Sequence, residues 1–197
     1  MDNIEEDFNL SNIEQNKIYI LGSRGVGKTS LLGVLLSKEF SDKIHPSKNG
    51  IAKVTYQKGN KNLTIKDLTD DENFTYTKKL QNELEDVILI IILFSLVDKE
   101  SFEYAKTLIG FIKNSLMNNK DLSIILLGNK HDLGIKVTKS EVHQYFGKTE
   151  NLYYNEISCK TKYNIDKIIQ IIDNIDIDEG MNNKNKKESI SDSCIII

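Results

Sequence analysis

GSRGVGKT, residues Gly22 to Thr29, is the stretch on which the reading of this chain turns. It matches GxxxxGK[ST] in full. It stands between KIYILG (Lys17 to Gly22), which reads as a strand, and TSLLGVLLSKEF (Thr29 to Phe40), which reads as a helix with Leu31, Leu32, Leu35 and Leu36 on one side. The residue types suit phosphate. Gly22, Gly25 and Gly27 let backbone N–H groups turn inward around it. Lys28 supplies a point charge to the outer phosphates, and Thr29 offers a hydroxyl to Mg2+. The N-terminal end of the helix adds its dipole. Ser23, Val26 and Ser30 complete the candidate binding set.

The surroundings fit such a loop. A chain of 197 residues suits one domain with a sizeable core. A formal charge of -3 gives no reason to expect a nucleic-acid partner. Cys159 and Cys194 stand far apart in unlike contexts, so they suggest neither a disulfide framework nor a metal site. MDNIEEDFNL, acidic and polar, does not read as a signal peptide. VILIIILF (Val87 to Phe94) is too short to span a bilayer and reads as a strand buried on both faces of a parallel sheet. IAKVTYQK and LTIKDL flank the polar turn GNKN (Gly59 to Asn62) and read as an antiparallel hairpin. SFEYAKTLIGFIKNSL (Ser101 to Leu116) reads as a helix and SIILLGNK (Ser123 to Lys130) as another buried strand. Thr138 and Glu141 make a capping box at the start of TKSEVHQYFGK. NLYYNEIS reads as a last short strand, and YNIDKIIQIIDNI as a last helix with Ile165, Ile168, Ile169 and Ile172 at helical spacing. About six strands thus alternate with about five helices, which predicts an α/β fold: a doubly wound, mostly parallel sheet with helices on both faces. Such sheets bind ligands beyond the carboxyl ends of their strands.

Two more motifs land there. GNKHDL (Gly128 to Leu133) ends a buried strand. Asp132 can accept from both N1–H and the exocyclic amine of guanine, a donor pair that adenine lacks. Asn129 can tie this loop to the glycine loop, and the stem of Lys130 can lie over the base plane. SCK (Ser158 to Lys160) follows the next strand; it can offer the Cys159 N–H to the guanine carbonyl while Ser158 braces Asp132.

With these three motifs in this order, the chain resembles the Ras superfamily of small GTP-binding switches over roughly Lys17 to Ile175. SFEYAKTLIGFIK after DKE is similar to the Rab, Ras and Rho branches. NLYYNEISCKTKYNIDK has a Ran or Rab flavour. The resemblance implies a P-loop GTPase (G domain) architecture with a six-stranded sheet, a monomer, and GDP or GTP bound with Mg2+. It also implies exchange-factor and effector proteins as partners, and two switch segments that respond to the γ-phosphate. It divides the chain into a flexible extension (1–14), the G domain (15–176) and a flexible tail (177–197).

The switches depart from the family pattern. Phe40, twelve residues beyond Lys28, occupies the place of an aromatic that packs against the guanine. Ser47 follows Pro46 where the family has a threonine that binds Mg2+; its alternative is a solvated loop serine. The family's DTAGQE is here DLTDDE, Asp67 to Glu72. Asp67 keeps the carboxylate that holds a Mg2+-bound water. Asp70 replaces the glycine whose N–H senses the γ-phosphate, and Asp71 replaces the glutamine that orients the attacking water. Two carboxylates beside a triphosphate bring like-charge repulsion, so intrinsic hydrolysis is expected to be slow. Asp71 as a general base is the weaker alternative. Arg24 stands where the family has a small residue. Three readings are open: it points to solvent, it holds the γ-phosphate, or it is a built-in finger that joins Lys28 in stabilising transition-state charge.

The tail DEGMNNKNKKESISDSCIII is polar until its end, where Cys194 and three isoleucines match CaaX. That predicts prenylation and a peripheral cytoplasmic membrane location, with a weak basic patch at Lys184, Lys186 and Lys187. Sequence thus points to a prenylated GTP-binding switch in trafficking or signalling. The alternatives are a GTP-bound adaptor that barely hydrolyses, a P-loop kinase for a small metabolite, and a non-binding scaffold.

Overall fold

The computed structural model describes residues 17–36, 51–58, 61–68, 87–115, 122–174 and 195–196, with the backbone alone at 17, 51–58, 61–68 and 195–196. The strands are β1 (Lys17–Leu21), β2 (Ile51–Lys58), β3 (Lys61–Leu68), β4 (Val87–Ser95), β5 (Ser123–Asn129), β6 (Leu152–Glu156) and β7 (Ile195–Ile196). The helices are α1 (Lys28–Leu35), α2 (Lys99–Ser115), α3 (Lys139–Phe146) and α4 (Ile165–Asp173), with a single 3-10 turn at His131–Leu133. The sheet order is β2-β3-β1-β4-β5-β6-β7. β1 lies parallel to β3 and β4, β4 to β5, and β5 to β6, while β2 and β7 are antiparallel at the two edges.

Six of these strands are the expected ones. The seventh, Ile195–Ile196, was read as the end of a tail and instead pairs with Tyr153 and Tyr154 on the outer edge of β6. An edge strand leaves backbone groups open, and β-branched residues suit the pleat beside it. The hairpin is tighter than expected: Lys58 pairs with Lys61, which leaves two residues for the turn where four were read.

Alternation along the central strands builds two cores. Ile18, Ile20, Leu89, Ile91, Leu93, Ile125 and Leu127 face α1 and α4 on one side of the sheet. Tyr19, Leu21, Ile90, Ile92, Phe94, Ile124 and Leu126 face α2 and α3 on the other. Both faces of β4 are thus covered, which explains its unbroken apolar run, and each fully buried Ile or Leu contributes about 1.5–3 kcal/mol. In α4 the buried positions are Ile165, Ile168, Ile171 and Ile172. Ile169, expected on that stripe, packs against the core only in part, while Ile171 is fully buried. α4 also starts two residues later than the pattern suggested, because Asn164 sits in the left-handed region at φ 56°.

Candidate nucleotide-binding site

The carboxyl ends of β1, β3, β5 and β6 carry the sequence motifs together. Gly22 leaves β1 at φ 143°, and Gly25 and Gly27 follow at φ 80° and 106°. A side chain on Gly22 would run into the Leu93 carbonyl, and one on Gly27 into the amide of Asn129. The loop therefore needs glycine for two reasons: its backbone turns left-handed, and it presses against neighbouring strands. Gly27 caps α1 and its carbonyl accepts the Leu31 N–H at 2.8 Å. Lys28 is only 5% exposed, and its Nζ donates to the carbonyls of Gly22 at 2.7 Å and Ser23 at 3.1 Å. The ammonium thus lies inside the loop from which it springs. Arg24, Gly25 and Thr29 are exposed at the loop surface, with Ser23 and Ser30 half-buried and Val26 buried.

Asn129 joins this loop to the next motif. Its Nδ2 donates to the Val26 carbonyl at 2.8 Å, and its Oδ1 accepts the Cys159 N–H at 3.1 Å. One side chain, 2% exposed, thereby fastens three loops. The Cys159 N–H, expected to face the base carbonyl, is engaged by Asn129. Beyond Asn129 the strand ends abruptly, since Lys130 adopts φ 67° and turns the chain into the 3-10 helix. A non-glycine residue in that region is a strained position that the surrounding contacts must hold.

Asp132 is exposed, and its Oδ1 accepts the Ser158 hydroxyl at 2.5 Å. Ser158 Oγ also accepts the Thr161 N–H at 3.1 Å, so its one proton is committed to Asp132. Lys160 is exposed on the Ser158 loop. Burial, with the charge of Asp132 adding to it, pushes the Cys159 thiol up to about 12, so the neutral thiol is not a nucleophile near neutral pH.

The register sets Asp67 beside Ile20, two residues before Gly22, so the β3 backbone brings this residue to the edge of the glycine loop. Thr29 is exposed at the start of α1, and its hydroxyl is a hard oxygen donor of the kind that suits Mg2+. Phe40, Ser47, Asp70, Asp71 and Cys194 lie outside the described residues.

One part of the site was not legible in the sequence. The His131 ring stacks on Tyr163 with centroids 4.5 Å apart and planes 24° from parallel. His131 Nε2 lies 3.8 Å from Glu156 Oε2, while Glu156 Oε1 accepts the Tyr154 hydroxyl at 3.1 Å. Burial and the neighbouring Glu156 raise the pKa of Tyr154, which keeps it a donor. No spacing rule links residues 131 and 163; only the fold brings them together.

A sequence model of the Ras family matches residues 17–176. GTP-binding protein Rhes of Homo sapiens is 27% identical over 168 aligned positions, which cover 79% of this chain and 62% of that protein. The chain thus spans less than two thirds of the Rhes proteins it matches. Ras-related protein O-RAL of Diplobatis ommata is 24% identical over 207 positions, covering 96% of this chain and 97% of that protein. Ras-related protein Rab-7b of Bos taurus is 28% identical over 153 positions, covering 76% of each.

Proposed function

The chain belongs to the Ras family, and on that premise we propose that it is a guanine-nucleotide switch that alternates between GDP and GTP and hydrolyses GTP slowly. The observation that carries this reading is the Asn129 junction. It couples the phosphate loop to the base-reading loops, so that one ligand with a triphosphate at one end and a base at the other engages both. Ser158 holds one oxygen of Asp132 and thereby orients the other toward guanine's two donors. A ligand without those donors leaves a carboxylate unmatched, which costs on the order of 1–3 kcal/mol or more.

The residues present fit a phosphate-bound magnesium ion: Thr29, Asp67 through water, and Ser47 would hold it. When bound, the ion supplies charge neutralisation at the phosphate oxygens. Lys28 supplies fixed positive charge, which the Gly22 and Ser23 carbonyls hold in place ready to be exchanged for phosphate oxygens. The loop N–H groups and the start of α1 add donors that need no rearrangement. Phe40 and the stem of Lys130 would flank the base. Asp70 and Asp71 work against the γ-phosphate, which favours long retention of GTP. A GTP-holding adaptor is the second reading, and DLTDDE favours it. Effector and exchange-factor proteins are the proposed partners of a monomer. A prenyl group on Cys194 would attach it to a cytoplasmic membrane face in trafficking or signalling. No helix among the described residues is long and apolar enough to cross a membrane.

The test is nucleotide identity. Nucleotide extracted from the purified protein should be GDP or GTP, and competition titrations should favour both over ADP and ATP. Asp132→Asn should shift the preference toward xanthine nucleotides. Equal binding of ATP would sink the reading.

A further inference from the structure

We propose that His131 and Tyr163 form a clasp that positions Asp132 for the base, that Glu156 steadies it, and that the clasp sets how long the nucleotide stays. The proposal rests on the guanine-nucleotide reading above. It starts from a closed ring of contacts. His131 is the chain neighbour of Asp132 and its N–H donates to the Ile157 carbonyl at 3.2 Å. Asp132 accepts the Ser158 hydroxyl. The Ser158 N–H donates to the Tyr163 carbonyl at 3.2 Å, and the Tyr163 ring returns to His131 through the 4.5 Å stack. The two base-reading loops are therefore closed on the inside by Ser158 and Asp132, and on the outside by two rings.

The rings are not core residues. Tyr163 is 45% exposed, and the His131 side chain is 35% exposed. Their contact gives the loops a link that solvent can compete with, and so one whose strength can change. Among the described residues, few groups surround the imidazole. Glu156 reaches it from the end of β6 with the oxygen that Tyr154 leaves open. Tyr163 covers one ring face from the loop before α4. Lys130 and Asp132 flank it in its own turn, with Asp132 engaged by Ser158, and Lys160 and Lys162 are exposed on the Tyr163 loop. The Glu156 carboxylate, with Oε2 3.8 Å from His131 Nε2, gives the imidazole a second partner beside the Tyr163 ring, which holds the clasp closed and slows nucleotide release.

The experiment uses the full chain loaded with a fluorescent GDP analogue. Its release into excess GDP is followed, with hydrogen exchange of the His131–Leu133 amides measured alongside. Circular dichroism melts verify that each variant folds. Tyr163→Ala should release nucleotide about two- to tenfold faster, the scale of an aromatic pair, and should raise exchange at His131–Leu133. Tyr163→Phe, which keeps the ring, should behave as wild type. His131→Phe keeps a stacked ring but loses the Glu156 contact, so it should release nucleotide about two- to fivefold faster, the scale of a partly exposed polar pair. Glu156→Ala should do the same. Unchanged release and exchange in Tyr163→Ala would overturn the clasp, and unchanged release in both His131→Phe and Glu156→Ala would overturn the part given to Glu156. Failure of the wild type to retain GDP would instead sink the guanine reading, and the exchange measurement would then decide the clasp by itself.

Discussion

Asn129→Ala should unfasten the site and destabilise the whole domain. Its side chain is 2% exposed and makes two hydrogen bonds, to the Val26 carbonyl at 2.8 Å and from the Cys159 N–H at 3.1 Å. Val26 and Cys159 are themselves 1% and 2% exposed, so water reaches the freed groups only by entering the space the amide leaves. An unsatisfied buried backbone group costs about 1–3 kcal/mol, and two of them give about 2–4 kcal/mol once partial rehydration is allowed for. For a domain of this size that lowers the melting temperature by about 5–15 °C. Nucleotide release should accelerate on the order of a hundredfold, because the phosphate and base loops lose their common anchor. Asn129→Asp separates the two bonds. A carboxylate still accepts from Cys159 but sets a buried charge against the Val26 carbonyl. Burial raises the pKa of such an aspartate, so the stabilising form is the protonated one, present at low pH and lost as pH rises through the folded-state value. The deficit of Asn129→Asp relative to wild type should shrink on acidification, and that of Asn129→Ala should not. Thermal melts without nucleotide and release kinetics with it make the assay. A melting temperature for Asn129→Ala within a degree of wild type, with unchanged release, would refute the junction as the anchor of the site.

The remaining expectations concern chemistry, attachment and pH. Single-turnover phosphate release should be slow in the wild type. If Arg24, the chain's one arginine, is a finger, Arg24→Gly should cut that step tenfold or more, about 1.4 kcal/mol; if it only holds the triphosphate, the variant should release GTP faster instead. Turnover like that of ordinary small GTPases, indifferent to Arg24→Gly, would defeat the reading of the altered second switch. Cys194→Ser should move the protein from membrane to soluble fractions in cells, and intact mass showing no lipid on the wild type would remove the prenylation proposal. At the start of α3 the Thr138 N–H, at 2.7 Å, holds the Glu141 carboxylate down to about 2, with Lys99 at 3.2 Å assisting. A depressed carboxylate stabilises above its unfolded value and loses that contribution as pH falls. The melting difference between wild type and Glu141→Gln should therefore be constant near neutrality and vanish as pH drops from about 4.5 toward about 2; a difference that persists at the acid end would count against the cap.

Much of this protein is written locally. Strand-loop-helix order around GSRGVGKT, the buried runs of β4 and β5, and the capping box at Thr138 each depend on residues a few positions apart, so periodicity and turn chemistry suffice to read them. The sequence also singles out candidate members of the site, because glycines, a lysine and an aspartate in fixed spacing serve chemistry that few other residues can serve. It could not say how those members hold one another. Asn129 and Val26 are 103 residues apart, and only parallel packing of β1, β4 and β5 lets one amide join their loops. Nor could it choose between Ile169 and Ile171 in α4: both are apolar, and the packing of the helix against the sheet decides which of them turns inward. The His131 and Tyr163 stack has the same origin, since neither ring carries a pattern of its own. The local code settles what each segment can be, through backbone propensity and polarity. The tertiary structure settles which groups share a hydrogen bond, because that depends on strand order and register, which contacts between distant segments fix.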